Sequence, residues 1–258
     1  MKIAVLGANG RMGRAVVRLA RDAGDEVVCA VGVGEEGRDV GELAGLGAIG
    51  VKLGSSIDAI EGSGAEAVID FSTPAATMRG LEVCARAGLP FVSGTTGLDE
   101  EQKRAFASAG RKIAVVWEPN MSVGVHVLAL LVEKAVASLG PGYDVEVVET
   151  HHKKKIDAPS GTALRLGDVV KNARNGRYVH GREGKPGARE ADEIGMHAMR
   201  GGDVVGDHTV YFFGEGERIE LTHRASSRDL FAHGALRAAR WIRGRAPGKY
   251  GLAAVLDG

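Results

Sequence analysis

The sequence is poor in cysteine, in aromatic residues and in net charge, and each scarcity closes off a class of function. Its two cysteines, Cys29 and Cys84, lie far apart, form no CxxC pair and sit among apolar neighbours. They read as buried free thiols of a reducing compartment, with no disulfide framework. The 33 basic residues balance 33 acidic ones, so no global field draws the chain onto nucleic acid or an anionic membrane, and any anion is bound locally. The first apolar run is broken at Gly7, Asn9 and Arg11, and the apolar stretch 121–132 is too short to span a bilayer. The expectation is a soluble, cytoplasmic protein with no membrane and no nucleic-acid partner. Repeats, low-complexity tracts and heptads are also missing. What the chain does have is 258 residues, a 44% hydrophobic share that supports a sizeable core, and 39 glycines against 5% aromatics. That is a composition of tight turns and close backbone approaches.

Residues 2–6 (KIAVL) form a short apolar strand, GANGRMGR follows, and Ala15, Val16, Leu19 and Ala20 then recur at helical spacing. A strand, a glycine turn and a helix in that order let backbone N–H groups and the positive helix end hold a pyrophosphate. The glycines Gly7, Gly10 and Gly13 are spaced GxxGxxG and not GxGxxG, and their place after a first strand points to dinucleotide binding. The second strand, 26–31, ends at Gly32 and Val33, where such folds usually carry an acidic residue for the ribose hydroxyls. With neither acid nor arginine there, the preference between the two nicotinamide dinucleotides stays open. Arg11, Arg14 and Arg38 read either as phosphate contacts or as solvated surface charges. Residues 34–54 read as irregular. A third strand, 67–71, meets Ser72 and Thr73, one of which caps a helix with Pro74 in its first turn. Strand 90–93 opens into the small-residue loop 94–97, then come a helix over 99–109 and a strand over 113–116. This alternation predicts an α/β unit with a doubly wound, Rossmann-like parallel sheet.

Past residue 122 the pattern changes. A long apolar helix over 123–138 precedes an alternating strand over 144–150, a helix over 162–170, and a polar, glycine-rich stretch, 171–190, expected to be a mobile loop. Three strand-like runs follow, 195–200, 208–213 and 218–223, then a helix over 231–242 and a short apolar tail. The expected architecture is an N-terminal domain, 1–121, completed by a returning segment, 232–258, and a C-terminal α+β domain, 122–231, with an open mixed sheet. The return is expected because the last helix otherwise has nothing to cover.

The densest chemistry lies in 149–163, ETHHKKKIDAPSGTA. His151 and His152 are adjacent, so on an extended backbone they point to opposite sides. That geometry argues against paired zinc ligands, as does the lack of a nearby cysteine or an HxxxH spacing, and no metal is expected. Lys153 and Lys154 read as a solvated basic run, whereas Lys155 precedes Asp157 and the turn. Ser160, Gly161 and Thr162 at a helix start fit a substrate carboxylate, and Ser160 equally fits a simple N-cap.

These segments resemble the 4-hydroxy-tetrahydrodipicolinate (dihydrodipicolinate) reductase family of bacterial lysine and diaminopimelate synthesis. The resemblance rests on GANGRMGR, IDFSTP, GTTG at 94–97, PNMSVG at 119–124, ETHHKKKIDAPSGTA, GDHTVYF and HRASSRDLFAHGAL. It implies an enzyme that passes hydride from NADPH or NADH to a cyclic unsaturated dicarboxylate with loss of water. It further implies His151 as proton donor and acceptor, Lys155 as second proton donor, His152 as substrate contact, and Gly161 and Thr162, beside Ser160, at a substrate carboxylate. The cofactor segments implied are Gly7, Ala8, Asn9, Gly10, Arg11 and Met12, then Gly94, Thr95 and Thr96, then Glu118, Pro119, Asn120 and Met121. Glu118 and Met121 stand where the family commonly has small and aromatic residues. The resemblance also implies a homotetramer built through the open sheet of the C-terminal domain. Two alternatives are a non-catalytic dinucleotide-binding regulator of the same fold and an amino-acid semialdehyde dehydrogenase. The second needs a cysteine nucleophile, and both cysteines sit inside expected elements.

Overall fold

The computed structural model describes residues 1–258 and divides into two compact units, Met1–Val123 with Asp229–Gly258, and Gly124–Arg228. In the first unit β1 (Lys2–Leu6) leads through a glycine turn to α1 (Arg11–Asp22) and β2 (Glu26–Val31). Gly7 makes this turn at φ 81°, and a Cβ on Gly13 would overlap the Gly7 carbonyl oxygen, so helix and turn touch only because Gly13 has no side chain. There follow α2 (Val40–Leu43), β3 (Leu53–Gly54), β4 (Ala67–Asp70), α3 (Pro74–Ala87), β5 (Phe91–Ser93), α4 (Glu100–Ala109) and β6 (Ala114–Trp117). Thr73 caps α3 with Pro74 in its first turn, and Gly88 ends it in the left-handed conformation. Asp99 and Gln102 form a reciprocal capping box on α4.

The second unit holds α5 (Val123–Leu139), β7 (Asp144–His151), α6 (Gly161–Arg174), β8 (Arg177–His180), β9 (Glu193–Arg200), β10 (Gly206–Gly214) and β11 (Glu217–Ala225). The chain then re-enters the first unit as α7 (Asp229–Ile242), β12 (Gly248–Tyr250) and α8 (Leu252–Asp257).

The first sheet is wholly parallel, ordered β12-β6-β5-β4-β1-β2-β3. Alternate residues of each strand serve two cores. Ile3, Val5, Ile69, Val92 and Val116 pack with α1, α7 and α8, whereas Ala4, Leu6, Val68, Phe91 and Val115 pack with α3 and α4. Burial on both faces explains why these strands read as continuous apolar runs. Helix α7 fills the layer beside α1, and Gly234 on it lies so close to the Met121 carbonyl that a Cβ would overlap it.

The second sheet is mixed, ordered β11-β10-β7-β9-β8: β10 runs antiparallel to β7 and β11, and β9 parallel to β7 and β8. One face, through Val145, Val147, Val210 and Phe212, packs on α5 and α6. The other carries Tyr211 and Phe213, stacked at 5.6 Å, with Phe213 and Met199 exposed.

Three expectations need correction, and the apolar tail holds elements its pattern does not announce. Residues 34–54 are not irregular: they contain α2 and β3, and buried Asp39 anchors them by accepting from the N–H groups of Gly41, Glu42, Ile49 and Gly50. The stretch 171–190 is not a loose loop. The helix α6 runs on to Arg174 and ends at Asn175 in the left-handed region, β8 follows, and Arg182 and Arg189 tie the remainder to Glu146 on β7. The tail is a strand and a helix. Finally, the helical run Val123–Gly142 is, by length and composition, apolar enough to cross a membrane. One side of it, through Leu128, Val132 and Val136, is buried in the core of the second unit, while Val127, Leu130 and Leu131 on it are exposed.

Candidate active site

In the first unit, the implied cofactor segments gather at the C-terminal edge of the parallel sheet, the edge at which open α/β sheets bind ligands. Gly7 and Ala8 both donate to the Val31 carbonyl, at 2.8 and 3.0 Å. Gly10 is the N-cap of α1 and no side chain caps that helix, so the first-turn N–H groups of Arg11 and Met12 stay available to an anion. This arrangement fits a dinucleotide pyrophosphate. Asn9 donates to the Val33 carbonyl at 2.8 Å. Arg14 and Arg38 are ion-paired with Glu35 at 2.7 and 2.9 Å, so two of the three arginines proposed for phosphate are already engaged. Arg11 is exposed.

Loop 94–96 is fastened from below by a residue that sequence reasoning passed over. Asp70, fully buried at the end of β4, accepts hydroxyl hydrogen bonds from Ser72 (2.5 Å), Thr77 (2.7 Å), Ser93 (2.7 Å) and Thr95 (3.0 Å). Burial pushes its carboxyl upward and the four hydroxyls pull it back. Gly94 donates to the Asp70 carbonyl, and Trp117 Nε1 donates to the Thr95 carbonyl at 3.0 Å, while Thr96 is exposed. At the end of β6, Glu118 takes the Leu252 N–H at the start of α8, Pro119 follows in the same loop, and Asn120 accepts from the Ser122 N–H. Met121 is 1% exposed in the core, so its side chain serves packing.

In the second unit, ETHHKKKIDAPSGTA runs off the end of β7 and into α6. His151 and Glu149, two apart on a strand, share a face, and His151 Nδ1 meets Glu149 Oε2 at 2.5 Å. Glu149 also accepts from both terminal nitrogens of Arg200, each at 2.8 Å, and from the Ser160 N–H at 3.0 Å. Burial pushes this carboxyl up, but Arg200, His151 and the Ser160 N–H together bring it below the ordinary Glu range. The His208 ring stands edge-on to His151 at 5.1 Å and its Nε2 is 3.1 Å from Ser160 Oγ. Burial, with the neighbouring His151 charge, pushes His208 down to about 4. His152 diverges from His151, as adjacent strand residues do, and its Nε2 accepts from Arg228 at 3.4 Å. Lys155 donates to Asp157 at 2.8 Å, and Lys153 and Lys154 are exposed. Ser160 is the N-cap of α6 and accepts from the Ala163 N–H at 3.2 Å. Gly161 and Thr162 open that helix, Gly161 being exposed.

The segment therefore unites His151, Lys155, Ser160, Gly161 and Thr162 within the second unit, and adds Glu149, Arg200 and His208, to which no role had been given. Among the titratable side chains, none cluster as a metal site. Cys84 is fully buried and Cys29 partly so, and burial pushes both thiols up, away from nucleophilic reactivity.

Family models described as dihydrodipicolinate reductase, N-terminus, and dihydrodipicolinate reductase, C-terminus, match residues 1–121 and 124–256. The chain belongs to the dihydrodipicolinate reductase family. Its relatives include the 4-hydroxy-tetrahydrodipicolinate reductases of Geobacter sulfurreducens, 46% identical over 99% of this chain and 98% of that protein, and of Pseudomonas fluorescens, 48% identical over the same shares. Among solved structures, the dipicolinate-bound dihydrodipicolinate reductase from Paenisporosarcina sp. TG-14 shares the fold at TM-score 0.79 over 97% of both chains, with 23% identity. A probable dehydrogenase from Thermotoga maritima matches at TM-score 0.66 with 12% identity over 99% of this chain and 92% of the other.

Proposed function

We propose that this chain is a cytoplasmic 4-hydroxy-tetrahydrodipicolinate reductase that uses NADH or NADPH to convert a cyclic unsaturated dicarboxylate to tetrahydrodipicolinate, with loss of water, in lysine and diaminopimelate synthesis. The observation that carries this reading is an imidazole held at one nitrogen by a buried carboxylate that also accepts from the N–H of Ser160, the cap of α6. When bound, the reduced dinucleotide supplies the hydride.

The chain's own residues account for the rest. The first-turn N–H groups of Arg11 and Met12 hold the pyrophosphate, and Gly7, Ala8, Asn9 and Gly10 form the turn that presents them, the N–H groups of Gly7, Ala8 and Gly10 being spent on backbone carbonyls. Gly94, Thr95 and Thr96, seated on Asp70, and the Glu118–Pro119–Asn120–Met121 backbone shape the remaining dinucleotide contacts. Hydride addition leaves an enamine-like carbon that must be protonated, and His151, a side chain able both to give and to take a proton, delivers that proton. Lys155 supplies a second proton and offsets negative charge as it develops. Gly161 and Thr162 hold a substrate carboxylate at the helix N-terminus, with Ser160 serving mainly as the cap. His152 orients the substrate.

A homotetramer joined through the open sheet face is part of the proposal, because that face bears stacked Tyr211 and Phe213 with Phe213 and Met199 exposed, an apolar surface that no helix of this unit covers.

The decisive assay supplies the product of the preceding synthase and follows oxidation of NADH and of NADPH side by side. Substrate-dependent oxidation of at least one is expected. No substrate-dependent oxidation of either would overturn the reading.

A further inference from the structure

We propose that Glu149, locked by Arg200, is the positioning residue of the proton donor: it fixes the tautomer of His151 that leaves Nε2 as the proton-delivering nitrogen, and it ties that imidazole to the N-terminus of α6. The proposal rests on the reading of His151 as the donor.

The geometry begins with the count of bonds. Glu149 is 1% exposed and its two oxygens receive four contacts. His151 Nδ1 and Arg200 Nη1 meet Oε2, while Arg200 Nη2 and the Ser160 N–H meet Oε1. Four contacts on two oxygens fill the acceptor capacity of a carboxylate. The bidentate guanidinium keeps the group ionised despite its burial, and an ionised carboxylate can only accept. Nδ1 of His151 must therefore carry the hydrogen. In the neutral ring the lone pair then sits on Nε2, and in the protonated ring Nε2 carries the proton that can be given away.

The surroundings keep Nε2 clear. Gly206 is the neighbour there: a Cβ on it would come within 2.9 Å of Nε2. The adjacent His208 ring is held neutral by burial, so it adds no competing charge at neutral pH.

Arg200 reaches further than Glu149. Strand pairing sets His151 opposite Arg200, and the same guanidinium donates to the Asp157 carbonyl at 2.7 Å. Asp157 in turn holds Lys155. One Arg–Glu pair thus fixes the imidazole, the turn bearing the lysine, and the cap residue of α6. The proton donor and the carboxylate-holding helix are set in one piece.

The test is nitrogen-15 NMR of the histidine side chains in the full-length protein, with the His151 signals assigned from their loss in His151→Gln, recorded at a pH where that ring is neutral. The wild-type ring is expected to show a protonated Nδ1 and an unprotonated Nε2. An Nε2–H pattern in the wild type overturns the proposal, and because no variant is needed for that result, a misfolded variant cannot obscure it. Glu149→Gln replaces one acceptor by a donor, and its His151 pattern is expected to reverse or mix, with kcat lower by about 10²- to 10⁴-fold and little change in KM for the dinucleotide. Retention of both the pattern and kcat in a folded Glu149→Gln protein would likewise overturn it. If the wild-type protein showed the Nδ1–H pattern but no turnover, the assignment of function would fail while the positioning by Glu149 stood.

Discussion

At the scale of single residues, polar anchors beneath the site carry as much of the account as the groups that react. Asp70 alone accepts four hydroxyls, so Asp70→Ala leaves buried donors without a partner. A loss of roughly 3 kcal/mol in urea unfolding is expected, together with weaker dinucleotide binding because loop 94–96 loses its seat. Glu35 has a different role. It occupies Arg14 and Arg38, and Glu35→Gln frees both for a ribose phosphate. The expected outcome is a rise in kcat/KM for NADPH relative to NADH, read from parallel initial rates. Neither role was legible in the sequence in the same degree as that of His151. Glu149 lies two positions before His151, and strand periodicity alone puts them on one face, so that partner was open to inference. Arg200 and His208 depend on which strands pair and in what register, 49 and 57 positions away from His151 in the chain. Of the four hydroxyls on Asp70, Ser72 in the loop after β4 and Thr77 on α3 are near in sequence, whereas Ser93 at the end of β5 and Thr95 in the loop beyond it arrive only because β5 pairs with β4.

At the scale of elements, the strands and helices of the parallel unit were legible because they are buried on both sides and punctuated by glycine, proline and capping residues. The errors fell where polar side chains hold structure that apolar periodicity does not announce. The clearest is β8 with the segment after it, a polar edge pinned by ion pairs. Glu146 collects Arg182, Arg189 and His197 at 2.6–3.2 Å, and these partners outweigh the opposing effect of burial to hold its carboxyl down at about 2 against an ordinary 4.5. A carboxyl lowered on folding stabilises the protein fully above its unfolded pKa and ceases to do so as pH falls through the folded one. The melting temperature of Glu146→Gln is therefore expected to lie below that of the wild type at about pH 6, with the gap closing progressively below about pH 4.5. A gap that stayed constant down to about pH 2.5 would refute the anchoring role. On α6, Ser160→Ala removes the side-chain acceptor of the Ala163 N–H and is expected to cost about 1 kcal/mol in chemical unfolding.

At the scale of the whole molecule, the chain leaves its parallel unit once, builds a mixed sheet, and returns to complete the layer beside α1 and add β12 to the sheet edge. The need for that return was legible because an apolar helix at the end of the chain required a face to cover. The short strand β12 was not legible, since its sequence, GKY, carries no alternation of its own. The uncovered face of the mixed sheet makes a prediction about assembly. Replacing both Tyr211 and Phe213 by Glu places charge on that face and is expected to shift the light-scattering mass toward smaller species. An unchanged mass would exclude the face as the contact.

The central claim is that the segment from Glu149 to Thr162 moves protons to a reduced intermediate, and the most direct measurement is steady-state turnover of His151→Gln and Lys155→Ala at saturating dinucleotide. A fall in kcat of about 10²- to 10⁴-fold in each, with KM for the dinucleotide near the wild-type value, is the predicted result. Near wild-type turnover in both variants would contradict the account.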